Sequence, residues 1–224
     1  MTNLEAIKHR HAVRHFDGKP ITKQHQEILN KLINKINKKA HLHLQLVINE
    51  PLAFSGKKAA ICNFTGCVNY LAIVGPDNDD LKEKTGYYGE QVVLEAIKLG
   101  IKSCWVAKTF DKIHGVYKVN KSEALALVVA LGYASYEGKP HKSKSFDRVV
   151  SNKTNKPIPT WFRKGVELAL LAPTGINQQG FKFTLLPNNC VRAKNLSFCK
   201  NVDLGIVKYH FELGAGNTKF KWIK

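Results

Sequence analysis

The segment APTGINQQGFKF, residues 172–183, sets three side-chain amides, Asn177, Gln178 and Gln179, between the end of a helical apolar pattern and the alternating run Phe181, Lys182, Phe183. Each amide offers both a donor and an acceptor, which suits a flat, heteroatom-rich ligand better than an ion. An ordinary polar loop has the same composition, so this stretch alone leaves both readings open. Metal chemistry is poorly supplied: His9, His11 and His15, like His41 and His43, sit at even separations without cysteines or carboxylates at a recognised ligand spacing. The cysteines Cys62, Cys67, Cys104, Cys190 and Cys199 are odd in number, irregularly spaced and form no CxxC. Free or buried thiols are therefore expected rather than disulfides or zinc. No neighbouring base or cation pattern marks Cys104 as a nucleophile.

Charge narrows the partners further. Lys and Arg number 35 against 17 Asp and Glu, a formal net charge of +18, which favours nucleic acid, acidic surfaces or phosphorylated small molecules. The lysines are scattered in ones and twos, with no arginine-rich tail and no recognisable nucleic-acid module. A length of 224 residues, 44% hydrophobic and without an apolar run of membrane length, predicts a soluble globular protein. The opening MTNLEAIKHRHAVRHF is polar and has no apolar signal core, so a cytoplasmic location is expected.

The elements that must position these residues follow from periodicity. LEAIKHR, with Asn3 as cap, predicts a short helix, followed by HAVRHFDGKPI as an extended segment. Thr22 to Lys39 places Ile28, Leu29, Leu32, Ile33 and Ile36 at helical spacing. HLHLQLVIN, AAICNFTG and CVNYLAIVG predict strands, the last two joined by a turn near Thr65 and Gly66. A helix from Asp80 stops at Gly100, IKSCWV is a short strand, DKIHGVY a helical turn, and LALVVALGYA an apolar strand for a sheet interior. After a basic connector over residues 135–157 come the helix WFRKGVELALLA, the strand FKFTLLP, a helix near NVDLGIVKYHFELGA and a last strand TKFKWIK.

The two halves echo each other. KPI at 19–21, a helix and HLHLQLVIN are matched by KPI at 156–158, a helix and FKFTLLPN. Each half then has a helix ending in Gly, Gly100 or Gly214/Gly216, before a strand carrying Trp105 or Trp222. The expectation is one domain over residues 1–224 with half-repeats at about 1–140 and 141–224 and approximate twofold symmetry.

AIKHRHAVRHF resembles the flavin-binding signature of the FMN-dependent nitroreductase family, with Arg10, His11, Ala12, Arg14 and Phe16 in its places. The family's Ser is replaced by Ala12. Ala172, Pro173, Thr174, Asn177 and Gln179 resemble that family's AP-S-x-x-N-x-Q-P-W motif, with Gly180 and Phe181 in place of Pro and Trp. EAIKLGIKSCWV, ALGYA and HKSKSF are similar to its LG-L-x-x-x-W, I-G-Y and Lys-x-Arg segments. The AP-S-x-x-N match lies late in the chain, which is similar to a thermophile-type subgroup whose duplicated chain mimics the usual dimer. The resemblance implies an α+β fold with a central, mostly antiparallel sheet flanked by helices, a monomer (pseudo-dimer) or homodimer, and FMN as cofactor. The counterpart loop near Lys38 to His41 lacks Asn and Gln, implying one flavin site per chain.

From the resemblance, Arg10, Lys142 and Lys144 hold the flavin phosphate, Arg14 and Asn177 the pyrimidine edge, and Trp105, Val106 and Ala107 approach the ring through backbone. Thr174 and Gln179 complete the set, His11 adds a hydrogen bond or stacking, and Ala12 forgoes the hydroxyl of Ser. Trp105 suits the core as well as a ligand, and Lys142 and Lys144 also suit a solvated loop. NADH or NADPH would give a hydride, and a nitroaromatic or quinone would take the electrons in a ping-pong cycle, with no catalytic side chain. A basic nucleic-acid-binding protein without redox activity, or a flavin binder that has lost turnover, are the alternatives.

Overall fold

A computed structural model describes residues 1–196, 201–216 and 219–223. Its elements fall into two compact units, the first made of Met1, His9–Leu81 and Gln91–Pro140 and the second of Thr2–Lys8, Lys82–Glu90 and His141–Lys224. Helix α1 (Asn3–His9) opens the chain, with the Thr2 hydroxyl accepting from the Glu5 N–H at its start.

In the first unit, α2 (Lys23–Ala40) is capped by Thr22, whose side chain accepts from the His25 N–H, and ends at left-handed His41. It buries Leu29, Ile33, Ile36 and Ala40, which recur every three or four residues and so form one stripe. Strands β1 (His43–Val47), β2 (Asn69–Pro76), β3 (Lys102–Val106) and β4 (Glu123–Gly132) pair in the order β1-β2-β4-β3, antiparallel throughout. β2 and β4 are central, which explains their near-continuous apolar sequences: every residue of β2 from Asn69 to Gly75 is buried. On one face Tyr70, Ala72, Val128 and Ala130 pack with Phe54, Phe64, Cys104, Val106 and Phe110.

Two local expectations are corrected in this unit. The segment AAICNFTG is not a strand: α3 (Lys57–Ala60) ends within it, and left-handed Asn63 and Gly66 break the extended path while Ala59 and Phe64 turn into the core. DKIHGVY forms turns and bends rather than a helical turn, interrupted by left-handed Gly115. Helix α4 (Leu81–Lys98) follows β2 and closes at Leu99, with Gly100 left-handed.

The second unit holds a four-stranded sheet in the order β5-β6-β7-β8. The basic connector contains a short helix, α5 (Phe146–Val149), and β5 (Val150–Asn152), which runs parallel to β6 (Phe181–Leu186). β6 alternates buried Phe181, Phe183 and Leu185 with partly exposed neighbours and pairs antiparallel with β7 (Cys190–Asn195). The sequence pattern passes over β7 because only Val191 of it is buried. Left-handed Asn188 and Asn189 make the reversal that leads into it. β8 (Lys221–Ile223) completes the sheet, and residues Thr218 and Lys224 of the expected last strand lie outside the described residues.

Helices α6 (Thr160–Ala169) and α7 (Val202–Ala215) supply the rest of this core. Phe211 of α7 is fully buried, stacked on Phe183 at 4.7 Å and edge-on to Phe162 at 5.5 Å. Gly205 and Gly86 let α7 and the Lys82–Glu90 turns of α4 touch backbone to backbone: a Cβ on Gly205 would lie 2.0 Å from the Glu83 carbonyl oxygen, and one on Gly86 1.9 Å from that of Val202. Beside this contact the wholly buried His210 and Glu90 pair at 2.9 Å.

Gly205→Ala must force this contact apart. We expect a loss of about 1–3 kcal/mol in unfolding free energy by denaturant titration, with no comparable loss for Gly100→Ala beyond its backbone strain, since a Cβ there meets nothing.

Candidate functional site

Two groups of residues singled out in the sequence are assembled, one in each unit. In the first unit the basic segment runs extended and is fastened on both sides. Ala12 forms a parallel bridge with Ser103 of β3, and the Val13 N–H donates to the Ser103 carbonyl at 3.0 Å. The Thr65 N–H donates to the Arg14 carbonyl at 3.0 Å and the Phe16 N–H to the Thr65 carbonyl at 2.9 Å, while His15 Nδ1 lies 2.9 Å from the Thr65 hydroxyl. Extended backbone alternates its side chains, so Val13 enters the core while Ala12 and Arg14 are exposed.

Arg10, one residue beyond α1, is 4% exposed, and His11 is half-buried. Gly138 packs over His11, where a Cβ would lie 2.6 Å from that of His11, and its φ of +83° also favours glycine. Beside this, Lys102 pairs with Glu137, which holds the Glu137 carboxyl below its ordinary range. On β3, Cys104 is a buried free thiol. Burial raises its pKa against the smaller opposing effect of the Arg14 and Arg10 charges. Trp105 is half-buried, Val106 turns its side chain into the core, and Ala107 is exposed. Thus Arg10, His11, Ala12 and Arg14 come together with the strand that leads to Trp105, Val106 and Ala107. The other free thiols are Cys62, Cys67 and Cys190, and Cys199 lies outside the described residues. Cys67 has its pKa pushed up to about 12, chiefly by burial.

In the second unit, Lys142 and Lys144 are exposed and their loop is tied to the APTGINQQ segment. α6 ends at Leu170, whose carbonyl oxygen has three partners: His141 Nε2 at 2.9 Å, the Ser143 hydroxyl at 3.1 Å and Gln179 Nε2 at 3.0 Å. Gln179 Oε1 accepts the Lys144 N–H at 2.7 Å, and its carbonyl oxygen accepts from Lys144 Nζ at 3.1 Å. The Gln179 N–H donates to the Thr174 hydroxyl at 3.0 Å. Gln179 is therefore 1% exposed with both ends of its amide engaged inside the unit, and it fastens the lysine loop instead of presenting its amide. Asn177 is exposed, and its Nδ2 donates to the Lys142 carbonyl at 3.0 Å, which leaves its Oδ1 as the acceptor it can offer.

The loop is held in an unusual conformation. Ile176, Asn177 and Gln179 all have left-handed φ, of 46°, 55° and 44°, and Ile176 is 81% exposed. A β-branched residue is strained there, and the strain persists because neighbouring bonds fix the turn. One such bond runs from the Gly175 N–H to Asp203 Oδ2 at 3.0 Å. Burial raises the Asp203 pKa to about 6, against the opposing effect of that N–H.

The sequence reading missed His141, Ser143 and Asp203. A signal for two of them was present, since in HKSKSF they alternate with the lysines and so belong to the opposite side of an extended chain.

The family model described as "Putative TM nitroreductase" matches residues 3–215. The chain belongs to this nitroreductase family. Its fold agrees with that of a nitroreductase from Thermotoga maritima, at 22% identity and a TM-score of 0.65 over 99% of this chain and 87% of that one. A Parabacteroides distasonis protein described as an NADH dehydrogenase/NAD(P)H nitroreductase matches at 15% identity and a TM-score of 0.50, over 66% of this chain and 95% of that one. The NfrA1 nitroreductase of B. subtilis matches at 12% and 0.50, over 64% and 71%. At these identities the likeness is one of fold. No curated protein matches the chain. The family is one of oxidoreductases, and among the described residues no helix of this member is long and apolar enough to cross a membrane.

Asp203 gives this part of the nitroreductase chain a pH signature. Its ordinary pKa is 3.8, so between about pH 4 and pH 6 the folded state holds the proton that the unfolded chain has lost, and stability falls as pH rises through that window. Asp203→Asn, which keeps an acceptor for Gly175, should remove that decline in thermal unfolding measured from pH 4 to 7. An unchanged slope would assign it to another group.

Proposed function

We propose that the chain is an FMN-dependent oxidoreductase that takes electrons from NADH or NADPH and passes them to a small-molecule acceptor such as a nitroaromatic or quinone. The observation that carries the reading is the basic segment fastened along β3, with Ala12 and Arg14 exposed. FMN held by these residues would supply two-electron redox chemistry between the donor and the acceptor.

The chemistry of the donor set fits such a group. Arg14 offers a fixed positive charge for the electron-rich N1 and O2 edge, which favours reduction there. Asn177, in the second unit, has its amide nitrogen committed to Lys142, so its Oδ1 is the atom left to accept from a ring N–H. Lys142 and Lys144 in the second unit are cations for a phosphate, and Arg10 in the first is a further candidate. Lys144 spends one N–H on the Gln179 carbonyl, which fixes the ammonium and leaves two donors. In this reading Gln179 and Thr174 position the loop. Ala107, exposed just past the end of β3, leaves its backbone open to approach, whereas Val106 packs in the core and Trp105 is half-buried. His11, half-buried under Gly138, is kept as a candidate for a supporting contact, and Ala12 contributes backbone alone. No side chain is assigned as a catalytic acid or base.

The first test is the absorbance spectrum of the purified protein, before and after adding FMN and then NADH. Bands in the flavin region that bleach with NADH support the reading, and protein that stays colourless with FMN overturns it, returning attention to nucleic acid and the +18 charge. Flavin bands without NADH oxidation would indicate a binder without turnover. Lys142→Ala/Lys144→Ala should weaken FMN at least tenfold, about 1.4 kcal/mol, while riboflavin, which lacks the phosphate, changes little.

A further inference from the structure

The first unit has a second place where cations gather, adjoining the end of β3. An open depression of about 430 Å³ is lined by Lys58, Ala107, Lys108, Phe110, Asp111 and Lys112. Its volume falls within the range of small-molecule sites. The rim is fixed from below: Phe110 is buried against Phe54, with ring centroids 6.4 Å apart, and the Asp111 N–H donates to the Ala53 carbonyl at 2.8 Å. The Asp111 carboxylate lies close against Gly56, where a Cβ would approach within 2.1 Å of Oδ2. It also pairs with Lys58 at 3.1 Å.

That pairing decides the charge of the cavity. The single carboxylate is matched by Lys58, whereas Lys108 and Lys112 have neither an ion pair nor a hydrogen bond among the described residues. Two lysines without an ion-pair partner line one concavity, and an anion seated there can accept from their N–H groups. A fixed rim means that the ligand does not have to order the backbone as it binds. Phe110 and Ala107 add an apolar wall, which favours an organic anion over a bare ion.

We propose that this cavity is a binding site for a phosphate-bearing small molecule, held by Lys108 and Lys112, with the Lys58–Asp111 pair as its supporting wall. The shared chemistry is a phosphate or pyrophosphate group. Two sources supply it: the nicotinamide dinucleotide that delivers electrons, or another phosphorylated compound. The first source rests on the oxidoreductase reading, since Ala107 belongs both to this cavity and to the segment assigned to the cofactor.

Calorimetric titration of the full chain with inorganic pyrophosphate, NAD⁺ and NADP⁺ tests the proposal, with Lys108→Ala/Lys112→Ala as the variant. The expected result is salt-sensitive pyrophosphate binding that weakens at least tenfold in the variant, with FMN affinity and unfolding temperature unchanged. Competition by NAD⁺ or NADP⁺ identifies the electron donor as the source, and binding of pyrophosphate without such competition identifies a separate phosphorylated ligand. Absence of pyrophosphate binding to the wild type, or equal affinity in the variant, overturns the site. A parallel loss of FMN affinity overturns it as a separate site. Because FMN binding is measured alongside, failure of this site is distinguishable from failure of the flavin reading.

Discussion

A helix cannot satisfy its last carbonyls from within, and at the end of α6 that requirement organises the loops around it. The Leu170 oxygen draws in His141, Ser143 and Gln179, three donors from two separate stretches of chain. Once they converge there, the lysines that alternate with His141 and Ser143 have nowhere to go but outward, and both remain exposed. Gln179 extends the arrangement by reaching the Lys144 backbone with the other end of its amide. The exposed cations are thus located by hydrogen bonds that they do not themselves make at the helix end.

The first unit solves a different problem with a similar economy. β3 is the last strand in its sheet and therefore has an outer edge with backbone groups to satisfy. The segment after α1 takes that edge at Ser103 and continues to Thr65, so it is extended without belonging to a full strand. Alternation then sorts its side chains, with Val13 inward and Arg14 outward.

Much of this was legible in the sequence, because the long helices and central strands are announced by period. α2 shows its stripe, and β2 and β4 their unbroken apolar runs. Elements with little burial gave no such signal: β7 has one buried residue, and α5 with β5 sits in a basic connector. AAICNFTG misled because its apolar residues satisfy a strand pattern while Asn63 and Gly66 require left-handed backbone. Among candidate site residues, the sequence singled out Arg10, Arg14, Lys142, Lys144 and Asn177 by type and by resemblance. It did not distinguish Gln179, whose amide is consumed internally, from Asn177, whose amide is half free. That difference depends on partners distant in sequence, and composition carries no trace of them.

Ile176 gives the loop a meaning beyond its hydrogen bonds. A branched apolar side chain almost fully in water, on backbone that disfavours branching, gains neither from burial nor from local conformation. An engineer seeking a hardier protein would exchange it among the first. Its presence marks the turn as a place where the chain gives up some robustness, and where a variant selected only for heat tolerance would drift away from the native surface.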